Sequence, residues 1–250
     1  MKTNWDYTAL ADAYIKRPDY SVDALNRMFQ KMSLKPDATI CDIGAGVGHL
    51  TIELAKKSFE VIAVEPNDAM RANGINRTMQ FKNVSWGVGT GEETNQESKK
   101  FDAITFGSSF NVCDQNKALA ESKRLTNDRG WFVCMWNYRD VNDSIQKKIE
   151  DIIKNNISGY SYGNRREDQM EFLKNSGMFS SVDFIEGNVV HKQSLKDCVE
   201  AWRSHGTLHR QAGDEKFTKI ISEIEKFLTQ NNIQTLSIPY TTRMWVAKFK

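Results

Sequence analysis

Apolar residues along this chain fall into two patterns. Short continuous runs occupy 39–43 (Thr39-Ile40-Cys41-Asp42-Ile43), 60–64, 101–106 and 131–136, each of strand length. Between these runs the apolar positions recur at helical spacing. Over 21–32, Val22, Leu25, Met28, Phe29 and Met32 share one face, with Ser21 placed to cap it. Residues 49–57 read as a helix, and a polar helix covers 117–125. Strands that alternate with helices predict a parallel sheet covered on both faces, a doubly wound α/β architecture. All four prolines (Pro18, Pro36, Pro66 and Pro239) lie where an element would begin or end.

Beyond residue 140 the pattern changes. A helix is expected over 143–154, a strand over 182–190 and a final strand over 244–249. Two helical stretches, 195–202 and 214–228, separate those strands. The second places Phe217, Ile220, Ile221, Ile224, Phe227 and Leu228 at helical spacing. A helical cap over about 192–232, inserted before the last strand, accounts for them. The expected organisation is one domain over 1–250: a helical lid over 1–35, a cofactor-binding half over 36–140, and a substrate half over 141–250 that carries the cap.

Composition narrows the class. The chain has 250 residues, and 34 Lys+Arg against 32 Asp+Glu leave a net charge of only +2. That balance argues against a protein that grips nucleic acid through a broad basic surface. Forty per cent apolar residues place it among ordinary globular proteins. The start, MKTNWDYTALADAY, lacks the apolar core of a signal peptide, and no run of 18 or more apolar residues occurs. Cys41, Cys113, Cys134 and Cys198 stand far apart, with neither a CxxC pair nor zinc-type spacing, so no metal is expected. Buried reduced thiols and a cytoplasmic location, with no membrane partner, follow as expectations.

The segment ICDIGAGVGHL, 40–50, carries the most information. Gly44, Gly46 and Gly48 follow a strand directly and open a helix, so a ligand can approach the backbone unobstructed by Cβ atoms. His49 occupies the place of the third glycine in GxGxxG, and no Lys-Ser/Thr pair follows, which disfavours a triphosphate-binding loop. Asp42 stands in the strand end before the loop. Glu65 closes the second strand about 20 residues on, where a carboxylate can accept hydrogen bonds from ribose hydroxyls. These features fit a nucleoside-containing cofactor without a pyrophosphate.

ICDIGAGVGHL, then VIAVEPNDAM, GTGEET and FDAITFGSSFN, resembles the class I S-adenosylmethionine (SAM) dependent methyltransferases in order and spacing. The resemblance covers roughly residues 8–140. It implies a Rossmann-like, mostly parallel seven-stranded sheet and SAM as cofactor, with S-adenosylhomocysteine as product. It also implies that the loop of Gly44, Ala45, Gly46 and Gly48 passes the methionine part of SAM, and that Glu65 holds the ribose. Asp42 serves the cofactor directly or through that loop. Pro66 and Met70 match positions that line the adenine, and Gly91 and Glu92 match the loop that closes on its edge. Gly107, Ser108 and Phe110 match the loop that faces the methyl group. Tyr14 and Arg17 resemble the lid of small-molecule members, whose residues reach the SAM carboxylate.

The second half concentrates side chains suited to an anion. Asn137 and Arg139 follow the fifth strand. Tyr162, Arg165 and Arg166 sit in an aromatic and basic loop, and Arg203, His205 and His209 lie in the cap. Arginine forks grip carboxylate or phosphate oxygens two at a time, which points to a small anionic substrate. The bland reading of each arginine is a surface ion pair with Glu167, Asp168 or Glu200. An alcohol or amine acceptor needs a base, for which His205 and His209 are the candidates. An anionic oxygen needs none, and the histidines would then only position it. The order of preference is methylation at oxygen, then at nitrogen. The second half is also faintly similar to trans-aconitate-type methyltransferases and to those acting on polysaccharide precursors.

Three rivals remain. A nucleic-acid methyltransferase commonly shows Asn/Asp-Pro-Pro-aromatic where this chain has FGSSFN. A non-catalytic SAM-binding protein is disfavoured by the intact glycine loop and ribose acid. A nicotinamide-dependent reductase is disfavoured by His49 in place of the third glycine and because this chain lacks the Tyr-x-x-x-Lys pair of such enzymes. Oligomeric state is not legible in the pattern.

Overall fold

The computed structural model describes residues 7–162 and 167–250. A 3-10 turn (Thr8–Leu10) leads into α1 (Ala11–Tyr14) and α2 (Val22–Met32). Ser21 caps α2, its hydroxyl accepting from the Ala24 N–H as the sequence predicts. Then come β1 (Thr39–Ile43), α3 (His49–Ala55), β2 (Glu60–Val64), α4 (Asp68–Thr78), β3 (Val84–Gly87) and β4 (Phe101–Gly107). After α5 (Gln115–Leu125) the chain forms β5 (Thr126–Arg139), α6 (Ser144–Asn156) and α7 (Met170–Asn175). It finishes with β6 (Phe179–Ser194), α8 (Leu195–Arg203), α9 (Gly206–Gln230) and β7 (Thr235–Phe249).

Seven strands form one sheet in the order β3-β2-β1-β4-β5-β7-β6. The first five are parallel, and β7 runs antiparallel to both β5 and β6. This is the Rossmann-like doubly wound sheet expected from the sequence. Strand order reverses between β1 and β4, so the crevice at their carboxyl ends is the natural binding place. Ile40, Cys41, Asp42 and Ile43 are all buried because both faces of β1 are covered, hence the continuous apolar run. One core layer joins α2 and α3 to the sheet through Leu25, Met28, Leu54 and Val133. The opposite layer is aromatic, with Phe106, Phe110, Phe132 and Trp136. A third cluster binds α6, α8 and α9 through Ile149, Ile153, Trp202, Ile220 and Ile224.

β5, β6 and β7 all run past their expected bounds, and the cap helix starts earlier than expected. β7 starts nine residues before the predicted 244, because Leu236, Ile238 and Tyr240 alternate inward under the cap. Pro239 is tolerated there: its carbonyl accepts from Asp140 at the end of β5, so its N–H-less nitrogen also faces that side and not the β6 ladder. The cap helix begins at Gly206 and is broken at Gly213 (φ 72°, ψ 167°), which explains why helical spacing was regular only from 214. No described helix is long and apolar enough to cross a membrane.

Candidate cofactor and acceptor site

A cavity of about 330 Å³ opens at the carboxyl ends of β1, β2 and β4. Its floor is the glycine loop. Gly44, Gly46 and Gly48 all have left-handed φ (65°, 59° and 82°), the region that favours glycine. A Cβ on Gly44 would lie 2.5 Å from the Ser109 Cβ, so this position has no room for a side chain. The loop is pinned from beneath, where the N–H groups of Gly44 and Ala45 both donate to the Val64 carbonyl, at 2.8 and 3.1 Å.

Two buried carboxylates brace the floor. Asp42 accepts from the Thr51 hydroxyl at 2.6 Å and from the Thr105 hydroxyl at 2.9 Å, tying β1 to α3 and β4. Burial pushes its carboxyl up to about 6, against the lowering by those two hydroxyls. Both its oxygens are engaged, so the geometry suits support through the loop better than direct contact. Glu65 accepts from the Gly46 and Asn67 N–H groups, each at 2.9 Å. Burial raises its carboxyl above the ordinary value, partly offset by those N–H donors and by Arg71.

Most of the cofactor residues read from the sequence converge on this cavity. Asp42, Gly44, Ala45 and Gly46 line it from the loop, and Glu65, Pro66 and Met70 from the end of β2 onward. Gly91 and Glu92 line it after β3, Gly107 and Ser108 after β4, and Tyr14 and Arg17 from the N-terminal segment. Ser108 holds a left-handed φ of 63° and its hydroxyl lies 3.1 Å from the Tyr20 hydroxyl. Backbone strain of this kind in a non-glycine residue gathers at functional sites. Two residues are not on the wall. Gly48 is the N-cap of α3, facing Thr78 and Trp86. Phe110 is wholly buried between Phe106 and Phe132, ring centroids 5.2 Å from each, and is core packing.

A smaller chamber of about 60 Å³ adjoins the cavity, and Arg17, Pro18 and Asn137 line both. Arg139, Tyr162, His205 and Tyr240 bound it. Arg139 lies 3.9 Å from the Trp202 ring centroid, and its Nε and one Nη donate to the Tyr240 hydroxyl at 3.3 Å. Among the described residues no carboxylate comes within ion-pair distance of it. Tyr162 donates to Glu150 at 2.5 Å. The Asn137 amide donates to the Pro18 and Asp19 carbonyls, so it fastens the N-terminal segment to β5.

The remaining acceptor-side expectations divide. His205 caps α9, its Nδ1 accepting from the Leu208 N–H at 3.2 Å. That contact engages the Nδ1 lone pair, so a neutral ring would carry its proton on Nε2 as a donor, which fits the positioning role better than the base role of the two that the sequence left open. His209 lies outside both chambers, paired with Asp214 at 2.6 Å and packed on Phe217. Arg203 is exposed and pairs with Glu200 at 3.1 Å, one turn away on α8. These two sites follow the ordinary surface pattern of i,i+3 and short-range pairs. Arg165 and Arg166 lie outside the described residues. Sequence reasoning missed Tyr7 and Tyr20 on the cavity wall and Tyr240 in the chamber, which lie outside the motifs it used, and it passed over Asn67 inside VIAVEPNDAM, between Pro66 and Met70. Among the described residues no group of three or more His, Cys, Asp or Glu is placed to hold a metal.

A glycine loop at the switch point of this seven-stranded sheet, with a carboxylate closing the next strand, defines a class I SAM-dependent methyltransferase. The chain belongs to the methyltransferase-domain family, whose model matches residues 13–202. It is similar to an uncharacterized methyltransferase of Schizosaccharomyces pombe, 25% identical over 222 residues, covering 88% of this chain and 86% of that one. Mycobacterial relatives are matched over 54% of their length. The fold is shared with a methyltransferase ascribed to an antibiotic biosynthesis pathway in Anabaena variabilis. There the TM-score is 0.61 at 18% identity, with 92% of this chain and 98% of that chain covered. It is shared too with phosphoethanolamine N-methyltransferase 2 of Haemonchus contortus, solved with S-adenosylhomocysteine. In that case the TM-score is 0.55 at 16% identity, covering 95% of this chain and 56% of that chain.

Proposed function

We propose that this enzyme moves the methyl group of SAM, by direct displacement, to an oxygen of a small anionic metabolite carrying a phosphate, phosphoramidate or carboxylate group. The carrying observation is Arg139, a partly buried guanidinium without a carboxylate partner among the described residues, in a chamber that shares walls with the larger cavity. A cation held so is matched by an anion from outside the protein. The fit of the larger cavity to SAM rests on the left-handed glycines, where a Cβ at Gly44 would collide with Ser109, and on Glu65 facing the cavity. Gly44, Gly46 and Glu65 would hold the nucleoside and methionine parts, with Met70 against the base and Tyr14 and Arg17 closing from above. SAM supplies an electrophilic methyl group on sulfur. The chain's own residues orient the acceptor, exclude water and offset its charge.

The test is transfer of labelled methyl from SAM to a panel of phosphate, phosphoramidate and carboxylate metabolites, neutral alcohols and amines, and bulk RNA. Label is expected in an anionic compound, with KM for it raised about tenfold or more by Arg139→Met, as for loss of a charged hydrogen bond. SAM affinity should hold within about twofold in that variant. Label only in neutral compounds or RNA overturns the anionic reading.

A further inference from the structure

His49 stands where dinucleotide-binding loops carry their third glycine. Its ring lines the cavity and its side chain is 12% exposed. Nδ1 lies 2.8 Å from Asp19 Oδ1, and Nε2 lies 3.3 Å from the Tyr14 carbonyl oxygen. An ionised carboxylate and a carbonyl can only accept hydrogen bonds, so both contacts are satisfied together only when each ring nitrogen carries a proton. A neutral ring gives up one of them. Both partners belong to the 7–20 segment, which also brings Tyr7, Tyr14, Arg17, Pro18 and Tyr20 to the cavity wall. On its far side the segment is anchored by Arg17, which donates to the Ser204 hydroxyl and carbonyl at 3.0 and 2.6 Å.

Charges of both signs surround this pairing, and His191 faces His49 as well as Asp19. Asp19 faces Arg77 and His191 as well as His49, and its carboxyl is held below the ordinary value, first by the hydrogen bond from His49. His191 faces Asp197, which pairs with Lys16 at 2.9 Å. Asp19 is 67% exposed, so solvent screens the charge attraction and the hydrogen bonds carry the contact.

We propose that His49 is a positioning residue: doubly protonated, it fastens the N-terminal segment over the cofactor cavity, and cofactor affinity falls when the imidazole loses a proton. The inference rests on that cavity being the SAM site.

Calorimetric titration of SAM into the wild type, His49→Gln and Asp19→Asn at about pH 6 and about pH 8.5, the span in which imidazoles titrate, tests it. Wild-type affinity should weaken about fivefold at the higher pH, the worth of one hydrogen bond. His49→Gln should bind at both pH values as weakly as the wild type does at the higher one. Asp19→Asn should lose most of the pH response, because an amide can donate to or accept from a neutral ring. Asp42 and Glu65 also face the cavity, and their titration is common to all three proteins, so the difference in slope is what counts. An equal pH slope in His49→Gln and wild type, or a pH 6 affinity unchanged by His49→Gln, overturns the role of His49. Failure of the wild type to bind SAM at either pH overturns the cofactor reading instead.

Discussion

The glycine loop and the Arg139 chamber meet at Arg17, Pro18 and Asn137 but are built differently. In the loop the surface offered to the cavity is backbone, and the polar groups beneath it are already partnered. Gly44 and Ala45 donate to Val64, Gly46 donates to Glu65, and Asp42 holds two threonines. In the chamber the surface is made of side chains from β5, β7, α8 and the loop before α7, with a cation lacking a protein counter-ion among the described residues. On the proposed function, the difference separates a site that is pre-organised by the fold from one in which the charge of an anionic acceptor would complete the electrostatics. It also says which changes should damage stability and cofactor binding together, and which should touch the acceptor alone.

The largest effect is expected on the loop side. Gly44→Ala forces an L-residue into left-handed backbone and drives its Cβ onto Ser109, at a cost of about 3 kcal/mol. Denaturant unfolding should show that loss, and SAM titration should show binding abolished. Full SAM affinity in a folded Gly44→Ala protein would break the claim that the backbone is the binding surface.

The next effect comes from Asp42, and its sign is set by linkage. Its carboxyl, up to about 6 when folded, lies above the value for an unfolded chain. The folded state therefore binds more protons between those values, and stability falls as pH rises from about 4 to about 6, then levels. The ceiling is about 3 kcal/mol. Asp42→Asn keeps a donor and an acceptor between Thr51 and Thr105, so it should gain about 1–3 kcal/mol at pH 8 and nothing at pH 4. Unfolding curves at the two pH values decide this, and a loss at pH 8 would mean that the ionised form is the one the loop requires.

The smallest effects sharpen the chamber's boundary. Arg203→Ala and His209→Ala remove exposed short-range pairs outside both cavities. Each should change stability by about 0.5 kcal/mol or less, and methyl transfer by less than about twofold. A large loss of transfer in either would extend the acceptor surface onto the outer face of the cap.

Much of the cofactor side was legible in the chain, because backbone chemistry leaves local marks. Three glycines after an apolar strand, and an acid at the end of the next strand, mark a loop where a ligand can meet the backbone, and they do so within one stretch of chain. The same motif logic failed at Phe110, where a residue in a matching position turned inward to stack with Phe106 and Phe132. It was silent on α4, whose Gly74 interrupts helical spacing. The structure explains that glycine, since a Cβ there would lie 2.1 Å from Trp86.

By itself, then, the amino-acid order determined the alternation of strands and helices, the parallel core of the sheet, the glycine loop and its two carboxylates. Each is specified by neighbours within about twenty residues, through periodicity, chain reversal and backbone freedom. The tertiary structure decided which arginine keeps a chamber to itself and which is spent on a neighbour. Arg139 and Arg203 look alike in sequence, yet one lies on Trp202 and the other reaches Glu200. It also set the partners of His49, thirty residues and more away at Asp19 and Tyr14. A charged side chain's role depends on which distant groups share its space and how much water is left there, and that is fixed only when the elements pack.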